Sequence, residues 1–87
     1  MARLTERRAS ILRAIARRPL DLISITGQLP GGSTYLVRLA LDNLTAAGLT
    51  RLQDGLHTLT DAGRAELAAH DHALTQKRQR ATRRRAA

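Results

Sequence analysis

From Gly32 to Leu59 the chain sets down, without a spacer, a capped amphipathic run, a glycine stop and an Asp-Gly turn between two short strands. A helix that hands over directly to a hairpin leaves little freedom in how the remaining segments pack. Ser33 is suited to be an N-cap, because its hydroxyl can accept from the free N–H groups of a first helical turn. Val37, Ala40, Leu41 and Leu44 recur at i, i+3, i+4 and i+7, so one stripe of this helix is apolar and faces a core. Plotted at about 100° per residue, Tyr35, Arg38, Leu39, Asp42 and Ala46 lie away from that stripe, with Ser33 and Thr34 at the N-terminal end. Gly48 can take the left-handed conformation that closes a helix. Asp54-Gly55, between Thr50 to Gln53 and Leu56 to Leu59, is the preferred hairpin turn, since both of its positions need positive φ. That register sets Leu52 and Leu56 near the turn and Arg51 across from Thr58.

A helix with one buried and one free face, followed by Gly-Leu and a hairpin, resembles the recognition helix and wing of winged helix-turn-helix DNA-binding proteins. Val37, Leu41 and Leu44 leading into Ala47-Gly48-Leu49, then Asp54-Gly55-Leu56, carry the likeness. The run Leu59-Thr60-Asp61-Ala62-Gly63-Arg64 with Leu67 is similar to the closing segment of winged-helix regulators of the multiple-antibiotic-resistance-regulator type and of small phage repressors. The resemblance implies a mainly α fold with a small β-hairpin: a three-helix core, a wing and a C-terminal helix. It implies a winged-helix domain over residues 1–69 and a helical extension with a basic tail over 70–87. Pro30-Gly31-Gly32 departs from the pattern, giving a looser turn before the recognition helix than a compact helix-turn-helix has.

Composition limits the alternatives. With no Phe or Trp and one Tyr, the core of this 87-residue chain is built from Leu, Ile, Val and Ala, and association of copies is an ordinary way to add buried area. There is no Cys, which excludes disulfides and thiolate metal sites. The first residues lack the apolar stretch of a secretory signal, and Leu22 to Val37, though uncharged, is broken by Gly27, Pro30, Gly31 and Gly32. A soluble, cytoplasmic protein without membrane contact is the expectation. The net charge of +8 points to a polyanionic partner, but its distribution is uneven. Lys77, Arg78, Arg80, Arg83, Arg84 and Arg85 supply six of the fifteen cations, leaving nine against seven acidic residues before them. Charge therefore speaks mainly for the tail.

Taken in order, Thr5 caps a first helix running to about Arg17, with Ala9, Ile11, Leu12, Ile15 and Ala16 as its buried stripe and Pro19 beyond its end. Arg7, Arg8, Arg13, Arg17 and Arg18 either contact phosphate or form a solvated face. Leu20 to Leu29, capped by Asp21, forms the scaffold helix, with Leu22, Ile25 and Leu29 at helical spacing. β-Branched Ile23, Ile25 and Thr26 weaken that assignment and leave a short strand at Leu20 to Ile23, paired with the hairpin, as the rival.

On the recognition helix, Arg38 is the leading candidate for a base contact, because a guanidinium presents two donors to guanine O6 and N7 in the major groove. Tyr35 either reaches a phosphate or thymine methyl or closes the edge of the aromatic-poor core. Ser33 and Thr34 sit where helical N–H groups suit a phosphate. Asp42 repels phosphate, but accepts from cytosine N4 or orients Arg38 one turn earlier. Leu39 meets thymine methyls or belongs to a protein interface. In the hairpin only Arg51 and His57 can be cationic, and the tip carries Gln53 and Asp54, so the wing ranks below the helix.

Thr60 caps a further helix with Asp61 in its first turn. Leu67 belongs to the core, whereas Leu74 is the candidate dimer contact, since the resemblance implies that this helix forms one, to match a two-fold operator. His70-Asp71-His72 invites a metal reading, but histidines two apart on a helix point to different sides, and solvent or a partner is the better use for them. Lys77 to Ala87 has no apolar stripe and is expected to be disordered or a frayed continuation of the helix.

These features imply sequence-specific binding of double-stranded DNA by a homodimeric transcription regulator, most simply a repressor, with the helix at 33–47 in the major groove. The DNA-contacting set is Ser33, Thr34, Tyr35, Arg38, Leu39, Asp42, Arg51 and the tail cations Lys77, Arg78, Arg80, Arg83, Arg84 and Arg85. The alternative is a protein-interaction module using Tyr35, Leu36 and Leu39, with the tail alone touching nucleic acid. Nothing indicates an enzyme, a cofactor or a metal: His57, His70 and His72 lack a nucleophile or clustered carboxylates, and Gly31-Gly32 is too little for a nucleotide site.

Overall fold

Helix caps set the frame. In the computed structural model, which describes residues 4–29 and 33–86 with side chains through residue 79, the elements run α1 (Glu6–Arg17), α2 (Leu22–Gln28), α3 (Thr34–Ala46), β1 (Thr50–Gln53), β2 (Leu56–Leu59) and α4 (Asp61–Ala86). Thr5 Oγ1 accepts from Arg8 N–H at 3.2 Å and Ser33 Oγ from Leu36 N–H at 3.1 Å, each satisfying an orphan donor of a first turn. α1 ends at Arg18, whose extended backbone suits a residue before proline. The turn at Pro30-Gly31-Gly32 lies outside the described residues.

α2 is shorter than its hydrophobic spacing suggests, because Leu20 is committed elsewhere. Leu20 and His57 exchange both backbone hydrogen bonds, at 3.2 and 2.7 Å, so the strand alternative is met at a single position beside β2. The helix then begins at Leu22, with Asp21 at the N-cap position, but the expected cap is not made: the Asp21 side chain forms no capping hydrogen bond. Thr26 Oγ1 donates back to the Leu22 carbonyl at 2.8 Å, which accommodates a β-branched hydroxyl residue inside a helix.

α3 closes with a Schellman motif. Gly48 adopts φ +79°, its N–H donates to the Thr45 carbonyl, and Leu49 N–H donates to Leu44 at 2.9 Å. The hairpin follows at once, with Asp54 at φ 52° and Gly55 at φ 77°, the two positive angles of a type I′ turn. Thr50 pairs with Leu59, Arg51 with Thr58, Leu52 with His57 and Gln53 with Leu56.

Ile11, Leu12 and Ile15 of α1, Leu20, Ile25 of α2, and Val37, Ala40, Leu41 and Leu44 of α3 form the core, with Leu49, Leu59 and Leu67 packed against it. Thr50 is the buried polar residue on the strand side, and its hydroxyl is satisfied by that of Thr45 at 2.8 Å.

The junction of wing and α4 is the tightest point. Thr60 Oγ1 donates to the Gly48 carbonyl at 2.6 Å and accepts from Gly63 N–H at 3.0 Å, while Thr60 N–H donates to the Leu49 carbonyl at 3.1 Å. A Cβ on Gly63 would lie 2.1 Å from the Leu49 carbonyl oxygen and 2.6 Å from Leu59 Cδ1, so only glycine lets α4 come this close. α4 itself extends 26 residues, roughly 39 Å. The basic end of the chain therefore continues the helix through Ala86.

Candidate nucleic-acid interface

The four core-facing residues of α3 bury one side of the helix and leave the other open. Ser33, Thr34, Tyr35, Arg38, Leu39 and Asp42 are all exposed there, as the helical period requires. Tyr35 is 73% exposed, so its ring does not close the core edge. Leu39, at 48%, and Leu36, at 37%, extend an apolar patch beside it. Arg38 and Asp42 stand one turn apart but form no ion pair among the described residues. Arg38 consequently keeps its guanidinium donors clear of Asp42.

The hairpin contributes less charge than its residues suggest. Arg51 is exposed, and its carbonyl accepts from Thr58 Oγ1 at 3.3 Å. His57 lies on the inner face, opposite Leu52 and beside Leu20. Its Nδ1 is buried and has no hydrogen-bond partner among the described residues. Partial burial lowers its pKa below the ordinary 6.5, against the raising influence of Asp42 and then Asp21. Burial thus favours the neutral imidazole, and Arg51 is the exposed cation of the wing. Leu52 and Leu56 near the turn are exposed.

α4 carries the other expected residues. Leu74 is half-buried and lines a groove of about 720 Å³ with Leu4, Ala69, His70, Ala73 and Lys77. Lys77, at the edge of that groove, and Arg78 are exposed. Arg80, Arg83, Arg84 and Arg85 lie on the same helix, with side chains outside the description.

The His70-Asp71-His72 run divides between partners. Asp71 takes an ion pair from Arg13, so one of the α1 arginines tethers α4 rather than forming a simple solvated face. His70 Nε2 lies 3.5 Å from Glu6 Oε1, again between α4 and α1. His72 is exposed. Among the described residues no three His, Cys, Asp or Glu side chains converge as a metal site would require. No described helix is long and apolar enough to cross a membrane.

Sequence reasoning missed the tether between Arg13 and Asp71, because 58 positions separate the partners. It also missed the reason for Gly63, which becomes visible only once Leu49 is seen against it.

The architecture of three helices, hairpin and long terminal helix is of the winged-helix type. The activation domain of the phage T4 transcription factor MotA has a similar fold, with a TM-score of 0.72 and 18% sequence identity over 91% of this chain and 83% of that one. At that identity the likeness is one of fold. No protein-family model and no curated protein sequence matches the chain.

Proposed function

We propose that this chain is a non-enzymatic transcription regulator that binds double-stranded DNA as a homodimer, with α3 in the major groove. The observation that carries the proposal is the exposed face of α3, where Arg38 has no ion-pair partner among the described residues and stands beside Tyr35 and Leu39, on a helix capped by Ser33. Arg38 reads a guanine edge, Tyr35 and Leu39 lie against thymine methyls or backbone, and Ser33 and Thr34 set the N-terminal N–H groups toward a phosphate. Arg51 adds one backbone contact, and the cations from Lys77 onward add affinity without sequence preference. The likeness to a domain of a transcription factor supports a role in transcription. Repression is the simplest outcome for so small a DNA-binding unit, by occlusion of the bound site. α4 pairs with its copy through Leu74.

The test is selection from a randomised duplex pool by the full chain, beside a variant carrying Arg38→Ala and Tyr35→Ala. A shared, two-fold-related motif selected by the parent and lost in the variant is the expected result. An identical motif from both proteins would remove α3 as the reader.

A second reading is favoured by one observation. Tyr35, Leu36 and Leu39 expose contiguous apolar surface on a face with one cation and one anion, which suits a protein partner. The neighbour's designation as an activation domain is compatible with it. A chain that selects no duplex motif, yet loses capture of a transcription-machinery protein when Leu39 is changed to Glu, would make this the better account.

A further inference from the structure

α1 and the C-terminal end of α2 form a shallow niche of about 220 Å³, lined by Ser10, Arg13, Ala14, Arg17, Gln28 and Leu29. It is separate from the α3 face, and its chemistry is that of an anion site. Arg13 and Arg17 stand one helical turn apart, an arrangement of like charges that weakens a helix when nothing lies between them. Asp71 engages Arg13 through Nη2 alone, which leaves the other donors of that guanidinium without a partner among the described residues. Arg17 has no ion-pair partner among the described residues. Among the described residues no acidic side chain lines the niche, the carboxylate beside it being that of Asp71 on Arg13; the Ser10 hydroxyl and Gln28 amide add neutral donors from two helices, and Ala14 and Leu29 complete the lining.

We propose that this niche binds a phosphate group. A planar carboxylate is satisfied by one guanidinium fork, whereas four donor side chains distributed over two helices match the several acceptor oxygens of a tetrahedral phosphate. Arg17 is the principal ligand and Arg13 the second, with Asp71 holding Arg13 at the rim. The phosphate comes either from a nucleic-acid backbone or from a free phosphate ester, and the ligand chemistry is the same for both.

The experiment follows the arginine Nε–Hε resonances of the full chain during titration with inorganic phosphate at constant ionic strength. The expected result is a saturable shift of Arg13 and Arg17 with one common dissociation constant, while Arg7 and Arg38 stay in place. Arg17→Ala should weaken phosphate binding at least tenfold, and Arg17→Lys, which keeps the charge but loses the fork, by less. Arg17 is exposed at the end of α1, so an unchanged far-UV spectrum is expected of both variants. Shifts that never saturate, that spread evenly over all arginines, or that persist in Arg17→Ala would overturn the proposal.

Two further arms separate the sources. If the phosphate belongs to nucleic acid, Arg17→Ala weakens binding to random duplexes and lowers the slope of log K against log salt by about 1. If it belongs to a free ester, that slope is unchanged, while glycerol phosphate binds the parent saturably and the variant weakly. Saturable phosphate binding by a chain that ignores duplex DNA would sustain the niche while refuting the major-groove role of α3.

Discussion

At Gly63 a single missing carbon decides how α4 meets the hairpin. Because an added Cβ would sit 2.1 Å from a backbone oxygen, which cannot swing aside like a side-chain tip, Gly63→Ala forces the helix outward. We expect a loss of about 3 kcal/mol, the upper end of ordinary overpacking, read as a fall in the urea midpoint at unchanged m-value. His57 provides a second test at this scale. Its folded pKa is lowered, so the unfolded chain binds the proton more readily and stability rises with pH through this group. The contribution is complete above the unfolded value near 6.5 and is lost as pH falls through the lower folded value. The urea midpoint should therefore decrease as pH falls below about 6.5, and His57→Gln should flatten that decrease. A profile identical in the variant would mean that other groups govern this range. Asp21 titrates in another window: the Ser24 hydroxyl is the first cause of its lowered pKa, so its contribution is lost only as pH falls below 3.8.

At the scale of elements, the caps and the turn were the readable parts. Thr5, Ser33 and Thr60 each accept the N–H expected of an N-cap, and Asp54-Gly55 adopts both positive φ angles, because these features depend on neighbours in sequence. Ser33→Ala should cost about 1 kcal/mol, visible in thermal unfolding, and it should fray the very turn proposed to approach phosphate. The start of α2 was less legible, since Leu20 is held by His57 through backbone bonds that no side-chain pattern announces. The free face of α3 followed from the period of the core residues, but the absence of an Arg38 to Asp42 pair did not. Rotamers on an exposed face are chosen by solvent and neighbours rather than by spacing. The Arg13 to Asp71 tether was invisible for the opposite reason, as it depends on how α1 and α4 cross. A double-mutant cycle with Arg13→Ala and Asp71→Ala should give a coupling of about 0.2–1 kcal/mol, as half-exposed pairs do, and it should shrink with added salt.

At the scale of the molecule, a nearly neutral packed region is followed by a cationic helical end. The continuation of α4 through Ala86 is the helical one of the two states expected for the tail; residues without an apolar stripe give no amphipathic signal to decide against disorder, and alanine and arginine propensity carries the helix. If the proposed duplex binding holds, removing residues 77–87 should reduce the slope of log K against log salt by up to about 5, while the selected base motif stays the same. A truncated protein with an unchanged slope would show that the tail does not touch the duplex. The proposed pairing through α4 makes a separate statement: Leu74→Glu should shift a dimer to monomer in sedimentation, and a parent that sediments as monomer would refute it.

The clasp between Gly48 and Thr60 has a consequence for how this protein can change. Its two ends meet where the Thr60 hydroxyl bonds the Gly48 carbonyl, so the hairpin is a small ring fastened at the neck. Growth at the Asp54-Gly55 tip is not transmitted to α3 or α4, and the entropy of enlarging a ring already closed rises only slowly with added residues. The wing is therefore the part of the molecule whose length can vary most freely, letting its reach be altered by insertion while the angle between α3 and α4 stays fixed.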